Sequence, residues 1–133
     1  MIIKASVDKE KARSIIKMTE DTEEYLNSLE IKGISASLIA RNYYEIIKEL
    51  GIVILLLDGY KAVGDYAHKE IIAYLGKKNV INGSELAIAD DLRIKRNYNS
   101  YEGRSISADY LVNRKKDILR IIKKLRDFIE KII

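Results

Sequence analysis

The stretch ADYLVNRKKDILRIIKKLRDFIEKI, residues 108–132, decides the fold class. Leu111, Ile118, Leu125 and Ile132 recur at seven-residue intervals, with Ile121, Ile122, Phe128 and Ile129 beside them. Apolar residues at that interval form one stripe along an α-helix. Ser107 stands just before the run, where a hydroxyl can accept an early helix amide. A long amphipathic helix must lay its stripe against other elements, so the rest of the chain has to supply them.

It supplies more helices. A second helix is predicted from Ser35 to about Leu57. Ser35 is its cap, and Ile34 and Ile39 occupy the two positions of a hydrophobic staple. Ile39, Tyr43, Ile46, Ile47, Leu50, Val53 and Leu57 follow the helical period, and from Ile52 the helix is apolar all round, which places it at the centre of the core. Gly51 lies inside it. An interior glycine costs about 1 kcal/mol, so close approach of a neighbouring helix is expected there. A first helix is predicted from Asp8, its cap, to Leu29, with Glu20, Asp21, Glu23 and Glu24 on a solvated face. Residues 59–64 read as a turn. A third helix runs from the cap Asp65 to Leu75, and a polar connection follows from Lys77 to Gly83. A fourth is capped by Ser84, carries Leu86, Ile88, Ala89 and Leu92, frays near Asn99 and ends by Gly103. The predicted fold is therefore all-α: an antiparallel up-and-down bundle of about five helices, in one domain over residues 1–133.

Composition agrees. Hydrophobic residues are 47% and charged residues 33% of 133, which excludes a disordered chain. Proline is absent, so nothing but glycine interrupts a helix. Cysteine is absent and His68 is the sole histidine, which removes disulfides, thiolate metal sites and any site built on two histidines. No metal or cofactor is expected: there is no glycine-rich phosphate loop and no Gly-X-Ser-X-Gly elbow. Asp90 and Asp91 are adjacent, so a helix splays them and a structural role is expected of both. His68, beside Lys69 and Glu70, reads as a local hydrogen-bonding residue. The longest apolar run, Ile52–Leu57, is too short to span a bilayer, and the start of the chain has no signal-peptide pattern. A soluble cytoplasmic protein is the expectation.

Charge is uneven. Eleven basic and three acidic residues lie between Arg93 and Arg126, a net +8, which leaves −4 for the remainder. Such a segment can collect a polyanion. Arg114 to Arg126 reads as the wet face of an amphipathic helix. Arg93 to Arg104 differs, because it mixes cations with Asn97, Tyr98, Asn99, Ser100 and Tyr101. Arg93, Lys95, Arg96 and Arg104 are the residues expected to hold a nucleic acid or nucleotide.

The stretch LRIKRNYNSYEG, residues 92–103, resembles the signature region of HEPN domains, the higher eukaryote and prokaryote nucleotide-binding family. That signature is an arginine, commonly followed by asparagine, with a histidine a few residues on. Leu55 to Lys61, then His68 to Leu75, looks like the segment that closes the second helix and opens the third in archaeal members. Ala40 to Glu45 looks like the family's second helix. The resemblance runs from about residue 38 to the end. It implies an all-α bundle and a homodimer whose two copies bring their signature residues together at the two-fold axis. Many members are metal-independent endoribonucleases, in which a base takes the proton of an RNA 2′-hydroxyl and a cation stabilises the phosphoryl oxygens.

Arg96, Asn97 and Tyr101 are the catalytic candidates the resemblance implies, and Tyr101 stands where the family has histidine. A phenol titrates near 10, so only about one part in a thousand is ionised at neutral pH. In some members a tyrosine beyond the histidine is modified by a partner minimal nucleotidyltransferase, but that position here is Gly103. Three readings follow. The first is a non-catalytic or weakly catalytic module that binds RNA, a nucleotide or a partner. The second is a ribonuclease toxin, paired with a nucleotidyltransferase antitoxin. The third is a helical dimerisation scaffold.

Overall fold

The computed structural model describes residues 1–133. Its elements in chain order are β1 (Ile2–Lys4), α1 (Lys9–Ser28), α2 (Ala36–Asp58), β2 (Tyr60–Ala62), α3 (Ala67–Lys77), α4 (Gly83–Glu102) and α5 (Ala108–Ile132). The all-α bundle expected from periodicity is the fold, with one small addition. β1 and β2 pair antiparallel, Ile3 opposite Lys61, so part of the predicted turn at residues 59–64 is a strand. Gly59, at φ +86°, closes α2 in the left-handed region and hands the chain into β2. No helix is long and apolar enough to cross a membrane.

α2 is the hub and touches all four other helices. Its sequence explains this: Tyr43, Ile47, Leu50, Val53 and Ile54 are all fully buried. A cluster of 27 buried residues draws on all five helices and forms one core. Gly51 lets α3 approach. A Cβ built there would lie 2.5 Å from Ile71 Cγ2, inside any permitted contact.

The caps refine the sequence reading. Asp8 accepts the Lys11 amide at 2.9 Å and Ser107 accepts that of Tyr110 at 3.1 Å, as expected. Ser35 does precede α2 but does not cap it through its side chain. Its hydroxyl accepts the Lys32 amide and donates to the Glu30 carbonyl, both in the preceding turn. Ile34 is 92% exposed, so the expected staple to Ile39 does not form. Tyr66, not Asp65, precedes α3. α4 starts two residues earlier than read, capped by Asn82 rather than Ser84. The Asn82 side chain accepts the Glu85 amide at 2.8 Å while Glu85 accepts the Asn82 amide at 2.9 Å. Glu85 is 1% exposed and also holds Lys124 at 2.7 Å and Arg120 at 3.1 Å. Burial pushes its carboxyl up, but the Asn82 amide and the two cations outweigh this and hold it below the ordinary range. The basic stretch of α5 is thus only partly a wet face. Arg126 is likewise tied to Glu23 at 2.7 Å and to Thr19 at 3.0 Å, clamping α5 to α1.

Candidate functional site

α4 does not fray at Asn99; it continues to Glu102 and closes on Gly103 at φ +68°. That extra turn decides where the predicted site residues point. Arg93, Asn97 and Tyr101 are spaced by four and share one face. Together with the chain entering α3 they line a hollow of about 380 Å³, whose opposite side carries Asp65, His68 and Lys69. Lys95, Tyr98 and Arg104 turn the other way, into a second hollow of about 380 Å³ with Ser105, Ser107 and Tyr110. Here the Lys95 ammonium sits 4.7 Å from the Tyr110 ring centre and the Arg104 guanidinium 4.6 Å from that of Tyr98. The predicted basic cluster is therefore divided, with Arg93 in one hollow and Lys95 and Arg104 in the other.

Arg96 takes a third direction, toward α2. It donates to Glu45 at 3.3 Å and to Asn97 at 3.3 Å, and lies 5.8 Å from the Tyr44 ring centre. Arg96 and Tyr101 project roughly 140° apart on a helix of 3.6 residues per turn. Within one chain they do not line a common hollow. Three of the four cations expected to bind a polyanion already have a carboxylate: Arg93 with Asp90 at 2.9 Å, Arg96 with Glu45, and Arg104 with Glu102 at 3.5 Å. Asp90 and Asp91 do serve structure as expected, since Asp91 accepts the Tyr110 hydroxyl at 3.0 Å.

Behind the first hollow lies a polar junction of α2, α3 and α4. Glu45 joins Arg96 to Lys48, which it holds at 2.6 Å; Lys48 also reaches Glu49 at 3.5 Å. Tyr44 is fully buried there and its hydroxyl has no hydrogen-bond partner. Burial drives that phenol well above its ordinary range, against the pull of Arg93 and Arg96. The buried Tyr44 hydroxyl beside two guanidiniums makes this junction polar within an otherwise apolar core.

His68, read from the sequence as a local residue, also meets side chains from other helices. It was expected to serve its own neighbourhood; the structure sets its ring 6.2 Å from that of Tyr44. Burial lowers its pKa first, then Lys48 and Arg96, with Glu45 opposing and Arg93 adding. The neutral imidazole is thereby favoured at neutral pH. It also borders a cavity of about 470 Å³ beside β2, walled by Val7, Ile52, Leu55, Leu56 and Ile71. One imidazole thus stands between an apolar chamber and the polar hollow on α4. No signal along the chain links His68 to Arg93, because the link is the packing of α3 on α4. The four-residue spacing of Arg93, Asn97 and Tyr101 was legible and depended only on α4 persisting past Asn99. No protein-family model, curated protein or solved structure matches this chain.

Proposed function

We propose that the protein is a HEPN-like helical module that binds RNA or a nucleotide through its phosphates, as a homodimer, with little or no cleavage carried by Arg96 and Tyr101. The observation that supports this reading is the hollow in which Arg93, Asn97 and Tyr101 face Lys69 and His68. A guanidinium and an ammonium suit phosphate oxygens, and an amide adds a donor. Tyr101 is 78% exposed at the rim, where a free phenol ring offers a stacking surface to a base. Arg93 is held by Asp90 at 2.9 Å with its side chain 13% exposed, so Lys69, which is exposed, is the freer cation for a phosphate. A second copy, if it packs on the end of α4, brings Arg96 and Tyr101 of two chains toward one cleft, as the resemblance implies.

Binding of a fluorescein-labelled single-stranded RNA, followed by anisotropy across a salt series, tests the reading. Lys69→Ala should reduce the slope of log affinity against log salt by about 0.7, one phosphate contact on a single strand. Tyr101→Ala should weaken binding by about 1–3 kcal/mol through lost stacking. Lys116→Ala, on the exposed side of α5, should change neither Tyr101-dependent stacking nor register. Absence of binding, or equal losses for Lys116 and Lys69, sinks the proposal. Sedimentation at micromolar concentration tests the dimer, and a monomer refutes that part.

A further inference from the structure

We propose that the chamber beside β2 is a binding site for a small amphiphilic carboxylate, taken up as a free monomer: one anionic head on an apolar body. The site does not depend on the RNA-binding reading, although Ala67 and His68 border both this chamber and the hollow on α4.

The chamber arises from a helix with more apolar surface than its neighbours cover. From Ile52 to Leu57 every residue of α2 is apolar, and such a helix needs packing on all sides. All four other helices pack on α2. Around Ile52, Leu55 and Leu56, however, the neighbours are β2, the link through residues 5–8 and the start of α3, and a space of about 470 Å³ remains between them. Small-molecule sites have volumes of about 300–1,000 Å³. Leu55 and Ile71 set this space apart from the main core. Both are buried, at 1% and 3% exposure, yet neither belongs to the cluster of 27 core residues, and both wall the chamber. Side chains that face a gap forgo the dispersion contacts of a packed interior, and an apolar ligand restores them.

Charge selects the other end of the ligand. Lys11 from α1 and Lys61 from β2 line the same space, and both are exposed. Neither ammonium has a carboxylate partner, whereas Lys17, Lys48 and Lys78 are each paired. Asp8 is the one acid lining the chamber, and its carboxylate accepts the Lys11 amide as the cap of α1. Two ammonium groups against one carboxylate leave a single positive charge, which complements a monoanion. His68 and Tyr60 add polar groups to the same wall.

The test titrates the full chain with straight-chain carboxylates from butanoate to decanoate, each kept below the concentration at which it forms micelles. Calorimetry reads the affinity, and methyl NMR reads the place. Affinity should rise about fourfold per added methylene and level off once the chain fills the chamber. Shifts should concentrate on the methyls of Ile52, Leu55, Leu56 and Ile71. Octanol, of the same length without the charge, should bind more weakly than octanoate. Replacing Lys11 and Lys61 together by alanine should lower octanoate affinity about tenfold and leave octanol unchanged. Ala67→Leu adds carbons at the wall and should weaken octanoate by about tenfold or more, with circular dichroism confirming that the variant is folded. Lys116→Ala, on the exposed side of α5, should leave the affinity unaltered. No binding at millimolar concentration overturns the proposal, as do shifts that fall elsewhere in the molecule. Octanol binding as tightly as octanoate overturns it too, and so does a folded Ala67→Leu variant with wild-type affinity.

Discussion

Replacing Glu85 by alanine should destabilise the fold by about 2–3 kcal/mol, and the structure says where the loss arises. The carboxylate is 1% exposed and accepts three hydrogen bonds: the Asn82 amide, Lys124 and Arg120. A bond to a charged group is worth about 1.5–3 kcal/mol when its partner is stranded by truncation. Arg120 and Lys124 are not stranded, because their side chains are 49% and 42% exposed and can turn to water. Each of those pairs then accounts for at most about 1 kcal/mol. The Asn82 amide does lose its acceptor, which adds about 1 kcal/mol as for other capping losses. Glu85→Gln keeps a carbonyl oxygen for that amide and removes only the charge, so it should lose about half as much. The pH dependence has a fixed sign. The folded carboxyl titrates below its ordinary 4.5, so its contribution is complete above that value and is lost as pH falls through the folded pKa. The gap between wild type and Glu85→Gln in urea unfolding should therefore be widest at neutral pH and close in acid. An alanine variant within about 0.5 kcal/mol of wild type, or a gap that stays open in strong acid, refutes the reasoning.

Two further outcomes are expected. Gly51→Ala gains about 1 kcal/mol of helix propensity but sets a methyl 2.5 Å from Ile71 Cγ2, and overpacking of about 1–3 kcal/mol should make the variant less stable in the same urea assay. The single histidine permits an unambiguous NMR titration: His68 should titrate below 6.5, and Lys48→Met should move it upward, since the ammonium is the largest charge effect on it. Because the folded value is depressed, His68 adds stability above the unfolded pKa that disappears as pH falls through the folded one.

The helices were legible because each carries its own period. α5 needed only its seven-residue stripe, and α1 and α5 announced themselves through Asp8 and Ser107. The strands were not, since three residues establish no alternation and β1 meets its partner across the whole of α1 and α2. The start of α4 was legible in principle: Asn82 with Glu85 three residues on is a capping pair, though Ser84 beside it also has the residue type of a cap. The candidate site was half visible. Its α4 face is a simple matter of spacing, once the helix is known to reach Glu102. Its α3 face is tertiary, and local patterning could not foretell that His68 would meet Tyr44 and Arg93 rather than serve its neighbours. Likewise charge counting gave a basic C-terminal third, but not that Glu23 and Glu85 would claim Arg126, Arg120 and Lys124.

The division of one helix end between two hollows has a consequence for how the molecule measures a ligand. An α-helix with its side chains is about 10–12 Å across, so the hollow at Asn97 and the one at Tyr98 are separated by a fixed rod. On the proposed reading a mononucleotide fills one of them at a time. An oligomer long enough to cross the exposed Tyr98 and Tyr101 rings reaches both, and its second contact forms at an effective concentration set by its own backbone. Affinity should then climb abruptly at one oligomer length instead of rising evenly with each added unit. On the proposed RNA-binding reading, the end of α4 would act as a ruler whose graduation is set by the helix between the two hollows.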